Sequence, residues 1–320
     1  IADNSITTAK TAFNDIPFRN RIINGDISVS QRGTSFSNVA SGDYTIDRWK
    51  MNYRAIGNAD ISQVDNKTYK SLKVLNSNGS TQEIVMGTRI EDIAQFHNDS
   101  FILSFYAKAS TSCTLDTRVF ENYGAGGSTT VNRVVAGSQN KTITTSRQRF
   151  TITFTASDMS SKTIGTSNFL EINFSVSLAS GANWEYDSVQ LEQGTSASDF
   201  EFIPFDVNLQ RCQRYLQRYG NTNRQGICVG TLQPQSNLHC SMTYVNTMRA
   251  SPSQSFSNLQ MTDRYSADYT VSSIGNFIAA TDCCYVRFTT STNAPNENRV
   301  CYNIVVTGGS DGFFELDAEL

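Results

Sequence analysis

The chain has 320 residues, with 26 lysines and arginines, 29 aspartates and glutamates, and a formal net charge of −3. This length predicts one large or two ordinary domains with a real hydrophobic core. The nearly balanced charge includes no basic block, which excludes nucleic acid as an expected partner. No apolar run is long enough for a transmembrane helix, so no membrane insertion is expected.

Uncharged polar residues and cysteines narrow the class of protein further. Charged residues make up only 17% of the chain, and a polar but weakly charged surface suits contact with neutral, hydroxyl-rich ligands. The seven cysteines form no C-x-x-C motif, so buried free thiols are expected instead of a zinc site. Free thiols fit folding in a reducing cytoplasm.

Strand patterns dominate the first two thirds of the chain. Residues 1–18 are polar with irregularly spaced apolar residues, which predicts a linker or the end of a stalk. Apolar and polar residues then alternate, as in residues 101–108 and 170–178. This period of two predicts half-buried strands, and clusters of glycine, asparagine and serine separate them. Residues 19–205 are therefore predicted to form an all-β jelly-roll sandwich.

Two segments depart from the strand pattern. Residues 89–96 predict a short helix. Residues 207–219 predict a stronger one, with Asp206 as its N-cap and Gly220 after its end. Short strands return after this second helix, so residues 206–320 are predicted to form a second, small β-sandwich-like domain that the helix opens.

The second predicted helix also carries a basic stripe. The stripe consists of Arg211, Arg214 and Arg218. It could meet an acidic polymer, but a solvated face or a set of salt bridges between subunits is the commoner role of such a stripe.

Several segments in a fixed order carry a resemblance to a known family. They are residues 19–32 (RNRIINGDISVSQR), 44–49 (YTIDRW), 89–109 (RIEDIAQFHNDSFILSFYAKA), 121–128 (ENYGAGGS), 187–204 (DSVQLEQGTSASDFEFIP) and the closing LDAEL. In this order they resemble phage tail-fibre and related virion proteins with a carbohydrate-binding-module-like jelly roll. The resemblance covers about residues 19–220 and implies a jelly roll, a place on the virion surface or at a fibre tip, and trimeric assembly.

Sugar binding directs attention to aromatic and polar side chains. Aromatic rings stack on the apolar faces of a sugar ring, whereas amides, carboxylates and guanidinium groups bind its hydroxyls. Trp49 and Trp184 are expected in the core. The candidate sugar-binding residues are Tyr44, Tyr53, Arg118, Glu121, Asn122 and Tyr123. Tyr123 lies in the glycine-rich segment ENYGAGGS, whose alternative role is only to turn the chain.

A calcium ion is the one candidate cofactor, and none is required. Sugar-binding jelly rolls of this kind often hold their first and last strands together with calcium. The corresponding candidate ligands here are Asn24, Asp26 and Asp187, which would supply the oxygen atoms that calcium prefers. The alternative is that both aspartates cap turns.

Catalysis is the sharpest alternative to binding. Neither His97 nor His239 stands in a recognisable nucleophile–base context. Glycan cleavage needs only two suitably placed carboxylates, and Asp116 and Glu121 near the glycine-rich segment are one conceivable pair. The chain is nevertheless predicted to be non-enzymatic, and a glycan depolymerase remains an alternative.

The leading functional prediction is a receptor-binding tail fibre that attaches a phage to a bacterial surface polysaccharide or lipopolysaccharide. Its further expected partners are copies of itself in a homotrimer and other virion proteins, reached through a part upstream of Ile1. It is expected on the tail or capsid surface of the virion after assembly in the host cytoplasm. The alternatives are a structural head-fibre, decoration or adaptor protein, and a secreted bacterial carbohydrate-binding module.

Overall fold

A computed structural model describes residues 18–52, 59–134, 140–220, 225–233, 236–262, 268–291, 302–306 and 312–320. The chain divides into two compact units, Ile1–Asn208 together with Leu320, and Leu209–Glu319. Strands dominate both units of the described chain, which confirms the predicted all-β class. Among these residues no helix has both the length and the apolar character needed to cross a membrane.

Twelve strands build the described part of the first unit. They are β1 (Ser35–Val39), β2 (Lys50–Asn52), β3 (Ala59–Asp65), β4 (Lys70–Leu75), β5 (Gln82–Glu91), β6 (Ser100–Ala109), β7 (Cys113–Asn122), β8 (Val131–Val134), β9 (Lys141–Ile143), β10 (Gln148–Thr155), β11 (Phe169–Leu178) and β12 (Asn183–Gln193). One antiparallel sheet has the order β1-β3-β4-β12-β6-β10, and the other has the order β2-β5-β11-β7-β8 with β9 paired to β7. Strands β4 to β7 and β10 to β12 cross from one sheet to the other at every step, which is the jelly-roll arrangement predicted from the sequence.

Aromatic rings fill the space between the two sheets. Trp49 and Trp184 are fully buried, as the sequence predicts. The Trp49 ring lies 5.0 Å from that of Tyr186 and 6.3 Å from that of Phe174, and Trp184 stacks on Tyr186 at 4.7 Å. Large rings at these separations bury much apolar surface and add favourable ring–ring geometry, so this cluster holds the two sheets in a fixed relation.

The helix predicted at residues 89–96 forms only in its second half. Strand β5 continues to Glu91, whose partner in β11 is Phe169, and only Ile93–Phe96 forms a short 3-10 helix. The side chain of Asp92 accepts a hydrogen bond from the backbone N–H of Ala94 at the start of this helix. The prediction was wrong for the first half of the segment because the sheet already uses its backbone groups.

The second unit combines a closed barrel with a small sheet, both preceded by helix α1 (Phe205–Gln213). Its strands are β13 (Leu216–Tyr219), β14 (Gly226–Gln233), β15 (Asn237–Thr243), β16 (Ser253–Ser257), β17 (Leu259–Thr262), β18 (Asp268–Ala279), β19 (Cys283–Thr290), β20 (Tyr302–Val306) and β21 (Phe313–Asp317). The barrel has the order β14-β15-β19-β18-β17-β20, and the small sheet has the order β13-β21-β16. Closure pairs β14 with β20 and so leaves no free edge in the barrel.

The second predicted helix is shorter than the sequence pattern suggested. Residues 216–219 form β13, which pairs with β21 from Leu216 opposite Asp317 to Tyr219 opposite Phe314. The proposed arginine stripe is therefore divided between a helix, a turn and a strand. One of its members, Arg218, forms an ion pair with Glu315 at 2.8 Å.

The cysteines that the structure describes are free thiols, and Cys301 lies outside the described residues. Cys240 and Cys284 are buried in the core of the second unit. A hydrogen bond to Cys240 and burial raise the pKa of the Cys228 thiol far above its usual value. The Cys228 thiol is therefore protonated at neutral pH.

Candidate functional site

Strand β11 carries polar side chains on the face that points away from the core. Leu170, Ile172 and Phe174 pack into the core, so the alternate residues project outward. Two of these outward residues are Glu171 and Asn173, which are nevertheless only 8% and 6% exposed. Charged and amide side chains are rarely this buried without specific partners, so their surroundings point to a built site.

We call the surface around these side chains the polar face. It comprises the outward side chains of four neighbouring strands in the order β2, β5, β11 and β7, namely Asn52, Arg89, Glu171, Asn173, Ser175 and Arg118. The registers bring them together, because Arg89 lies opposite Glu171 and Arg118 lies opposite Asn173.

Glu171 is the centre of the polar face. Its Oε1 accepts hydrogen bonds from the side-chain amides of Asn52 at 3.0 Å and Asn173 at 2.9 Å. Its Oε2 accepts from Nε of Arg89 at 2.5 Å. The amide of Asn52 also donates to Oδ1 of Asn173. Each side chain is thus held by at least one other, and the network is preorganised before any ligand binds.

Gly87 makes the meeting of the two amides possible. It lies on β5, between the strands of Asn52 and Asn173, and pairs with both Lys50 and Asn173 in register. A Cβ at this position would collide with the Asn52 amide nitrogen and with Oδ1 of Asn173. A glycine inside a strand often marks such a close approach, and this was the sequence signal available for the site.

A second set of polar contacts extends the polar face towards β7. Ser175 donates a hydrogen bond to Glu83 at 2.6 Å. Nη2 of Arg118 lies 2.6 Å from Oδ2 of Asp116 and 3.7 Å from Oε1 of Glu83. Of the residues predicted to bind sugar, Arg118 is therefore on this face.

Two phenylalanines lie among these polar groups. Phe169 begins β11 on the outward side, and the guanidinium carbon of Arg89 lies 4.2 Å from its ring centroid. Phe120 on β7 is opposite Glu171, and Asn122, another predicted residue, is opposite Phe169. Both phenylalanines are half-buried. The face thus combines aromatic surface with hydrogen-bonding groups, as sugar-binding sites do.

Tyr44 lies next to the β2 side of the same sheet. It forms an isolated bridge with Lys50, whose ammonium nitrogen is 5.2 Å from the Tyr44 ring centroid. Its hydroxyl donates to the backbone oxygen of Leu320 at 2.8 Å. The predicted residue Tyr53 lies outside the described residues.

The structure corrects the assignment of Tyr123 and Glu121 to a sugar site. Both side chains are fully buried, and the hydroxyl of Tyr123 donates to Oε2 of Glu121 at 3.0 Å. The backbone N–H of Ser157 donates to the other carboxylate oxygen at 2.8 Å. These residues stabilise the C-terminal end of β7, and their buried side chains present no surface to a ligand.

The glycine-rich segment after Tyr123 serves close backbone packing. Gly124 has a positive φ of 79°, and a Cβ there would collide with the backbone of Thr166. The segment forms paired hydrogen bonds between Ala125 and Thr166 at 2.9 and 3.1 Å. Of the two roles considered for it, the turning of the chain is the one that these contacts support.

The two carboxylates considered for glycan cleavage do not share a face. Glu121 points into the core, whereas Asp116 is five residues away on the same strand and projects outward, where it pairs with Arg118. Because side chains of a strand alternate between faces, these two cannot act on one glycosidic bond.

The candidate calcium ligands have other partners. Asn24 donates to the backbone oxygens of Val29 and Asp47, both at 2.8 Å, and Asp26 accepts from Asn208 at 2.8 Å. Asp187 forms a two-bond ion pair with Arg147 at 2.9 and 2.5 Å. The described residues contain no group of three or more histidine, cysteine, aspartate or glutamate side chains arranged for a metal ion. Calcium binding stays a prediction.

Comparisons with known proteins give structural likeness only. No family model and no curated protein matches the sequence. A protein from Bacteroides thetaiotaomicron described as sugar-binding is 15% identical with a TM-score of 0.36, over 55% of this chain and 100% of the other. The amino-terminal cellulose-binding domain of β-1,4-glucanase C from Cellulomonas fimi is 22% identical with a TM-score of 0.33, over 47% and 90%.

A phage protein is also among the similar structures. The enzymatically active domain of tailspike protein 4 from bacteriophage CBA120 is 17% identical with a TM-score of 0.35, over 56% of this chain and 22% of that one. At these identities and TM-scores the similarities assign neither a family nor a function to this chain.

Proposed function

We propose that this chain is a non-enzymatic module that binds a glycan through the polar face. The observation that carries the proposal is the linked set of Asn52, Glu171, Asn173 and Arg89 on an outward sheet face. A set of fixed donors and acceptors can bind the hydroxyls of a sugar without the entropic cost of ordering each side chain separately.

The chemistry of the polar face suits a sugar ring. A hydroxyl group both donates and accepts a hydrogen bond, and an amide or a carboxylate–guanidinium pair offers complementary groups. The rings of Phe120 and Phe169 offer apolar surface to the C–H face of the sugar. Its charged side chains are paired with one another, Arg89 with Glu171 and Arg118 with Asp116, so we expect a neutral glycan to be preferred on this face.

The carboxylates of the polar face support binding over cleavage. Hydrolysis of a glycosidic bond needs one carboxylic acid that can give up a proton and a second carboxylate as base or nucleophile. Glu171 is held by Arg89 and two amides, Asp116 by Arg118, and Glu83 by Ser175. Carboxylates that already accept hydrogen bonds in this way favour a role as fixed acceptors over a role in proton transfer. Depolymerase activity is the competing proposal, tested by release of reducing ends from host polysaccharide.

We further propose that the module belongs to a phage tail fibre, on the virion surface, and attaches to a bacterial surface polysaccharide or lipopolysaccharide. The ordered segments between residues 19 and 220 support this setting by their resemblance to fibre proteins. A homotrimer would repeat a weak site three times and so raise its effective concentration at the cell surface. A structural virion protein without a receptor role is the competing candidate. Firm binding to capsids without binding to host cells would favour it.

The test of the glycan site compares two substitutions on one strand. The full chain and its Asn173→Ala and Ser177→Ala variants are titrated against purified host polysaccharide and whole host cells. Ser177 lies on the same outward side of β11 but is exposed and outside the network. We expect Asn173→Ala to weaken binding about tenfold, as loss of a buried hydrogen-bonding group does, and Ser177→Ala to have no effect. Equal binding by both variants would refute the proposed site.

A further inference from the structure

The barrel of the second unit has an outward row of side chains that the polar face does not include. Thr231 on β14 lies opposite His239 on β15, which lies opposite Arg287 on β19, which in turn lies opposite Gly275 on β18. The neighbours of His239 and Arg287 along each strand, such as Leu238 and Phe288, point into the core. The row therefore crosses four strands on the outer surface.

Arg287 has an unusual place in this row. Its guanidinium packs against Gly275, where a Cβ would come within 2.5 Å of Nη2 and 2.9 Å of Nε. Its Nε is buried, and among the residues that the structure describes this nitrogen has no hydrogen bond and the side chain has no ion pair. Arg89, Arg147 and Arg218 all pair with carboxylates.

His239 is fixed beside Arg287. Its Nδ1 and the hydroxyl of Tyr285 are hydrogen-bonded to each other, and the two ring centroids are 5.8 Å apart with the rings tilted by 50°. Both side chains are half-buried. One nitrogen of the imidazole is thus bonded to Tyr285, and the ring presents an ordered polar group next to the Arg287 guanidinium.

The strands around the row supply almost no other charge. The sequences of β14, β15, β17, β19 and β20 contain no aspartate or glutamate, and β18 contains only Asp268, at its first residue. The neighbouring outward positions carry hydroxyl and amide groups, such as Thr289, which donates to Asn237 at 2.9 Å. An arginine that has no ion pair within the described part of the chain, among strands rich in hydroxyl and amide groups, attracts an anion and holds it by a two-bond contact.

From this arrangement we infer that the outer barrel row of Thr231, His239, Arg287 and Gly275 binds an anionic substituent, a carboxylate or a phosphate, carried by a hydroxyl-rich polymer. Arg287 binds the anion, His239 and Thr231 supply further hydrogen bonds, and Gly275 gives the guanidinium room to lie against the barrel. This site lies in the second unit and does not depend on sugar binding at the polar face.

The experiment measures binding of the full chain to three immobilised polymers by biolayer interferometry. Polygalacturonate supplies carboxylates, poly(glycerol phosphate) supplies phosphates, and dextran supplies hydroxyls without charge. We expect the chain to bind at least one anionic polymer, and Arg287→Gln to weaken that binding about tenfold, since a charge-assisted pair is lost. Arg287→Lys keeps the charge without the planar fork and should recover part of the affinity.

Two further variants test whether the loss of polymer binding comes from the barrel row itself. Arg21→Gln removes the same positive charge from a residue that is not part of the barrel row, and it should change the affinity less than about twofold because no charge-assisted pair is lost from the row. His239→Gln replaces the imidazole by an amide and should cause a smaller loss than Arg287→Gln. Should Arg287→Gln fail to fold, as judged by its circular dichroism, the His239→Gln result decides in its place.

The outcomes separate this inference from the proposed glycan site. Loss of binding to one anionic polymer only would identify its substituent, carboxylate or phosphate, and support the inference. Failure of the unmodified chain to bind either anionic polymer, or equal binding by the Arg287→Gln and unmodified chains, would overturn it. Asn173→Ala should leave binding to the anionic polymers unchanged, so the two sites succeed or fail separately.

Discussion

The side-chain amides of Asn52 and Asn173 are hydrogen-bonded to each other across a strand that belongs to neither of them. Strand β5 runs between their strands β2 and β11, and the contact passes over Gly87. Both amides also donate to the carboxylate of Glu171. The polar face therefore requires a glycine at position 87, because any larger residue would displace the two amides.

Substitution of Gly87 by alanine therefore tests the geometry of the face. The added methyl group would collide with both amides, so we expect glycan binding to weaken about tenfold and the free energy of unfolding to fall by about 1–3 kcal/mol, as overpacking does. Isothermal titration and denaturant unfolding measure the two effects. Gly79→Ala is the control, because a Cβ there meets no atom within 4 Å. Similar behaviour of the two variants would contradict the described contact.

Substitution of two aromatic residues distinguishes a ligand-binding role on the polar face from a stabilising role in the core. Phe169→Ala removes a half-buried ring from the polar face, and we expect weaker glycan binding at nearly unchanged stability. Tyr123→Phe removes the hydroxyl that donates to Glu121, so unfolding should become easier by about 1 kcal/mol, the usual value of one hydrogen bond, with unchanged binding. Binding titrations and thermal melts check both. A binding loss in Tyr123→Phe would restore the sugar-stacking role that its burial argues against.

An ion pair with a buried carboxylate should contribute more to the free energy of unfolding than one with an exposed carboxylate. Arg147 binds buried Asp187 through two nitrogens, and its guanidinium carbon lies 4.2 Å from the Tyr69 ring centroid and 3.8 Å from that of Tyr106. Arg147→Lys loses the fork and the stacking, so we expect a loss of about 1–2 kcal/mol in the free energy of unfolding. Arg118→Lys, paired with a more exposed carboxylate, should lose less than about 0.5 kcal/mol. Equal losses would contradict this difference.

Calcium binding has a direct thermal test. An ion that binds only the folded chain stabilises it by mass action, so calcium chloride should raise the melting temperature above its value in EDTA. Asp26→Asn should remove the rise if Asp26 is a ligand. The same melting temperature in calcium and in EDTA would show that Asp26 and Asp187 serve only their partners Asn208 and Arg147.

Alkaline unfolding should report on Tyr219. Burial raises its pKa from 10.0 to about 12, so between these two values the folded chain keeps a phenol proton that the unfolded chain has released. The stability that depends on this proton is present below pH 10 and is lost as the pH rises towards 12. Melting temperatures across this range should fall less steeply for Tyr219→Phe than for the unmodified chain. Parallel curves would contradict the pKa shift.

The sequence predicted strands whose apolar and polar residues alternate, but it did not predict the side-chain contacts between strands that are far apart in the chain. Alternation in residues 170–178 identified β11 and its core side, and both tryptophans were expected in the core. The outward residues of the same strand looked like ordinary solvated positions. Asn173 meets Asn52 across 121 residues of sequence, and no local pattern records such a pairing.

Tyr123 and the helix at residues 207–219 were misjudged for a related physical reason. A tyrosine next to glycines is typical of an exposed loop, but this one is buried, and its backbone oxygen accepts a hydrogen bond from the N–H of Gly165 at 2.7 Å. The apolar period of the predicted helix extends past Gln213, yet β21 offers residues 216–219 a partner strand. In both cases a contact with a distant segment outweighed the local preference.

The most direct test of the glycan site follows the side-chain amide signals of Asn52 and Asn173 by NMR while purified host polysaccharide is added. If the polar face binds the glycan, both amide signals shift along one saturation curve, and the curve matches the affinity measured by calorimetry. Saturating binding that leaves both signals in place would contradict the account.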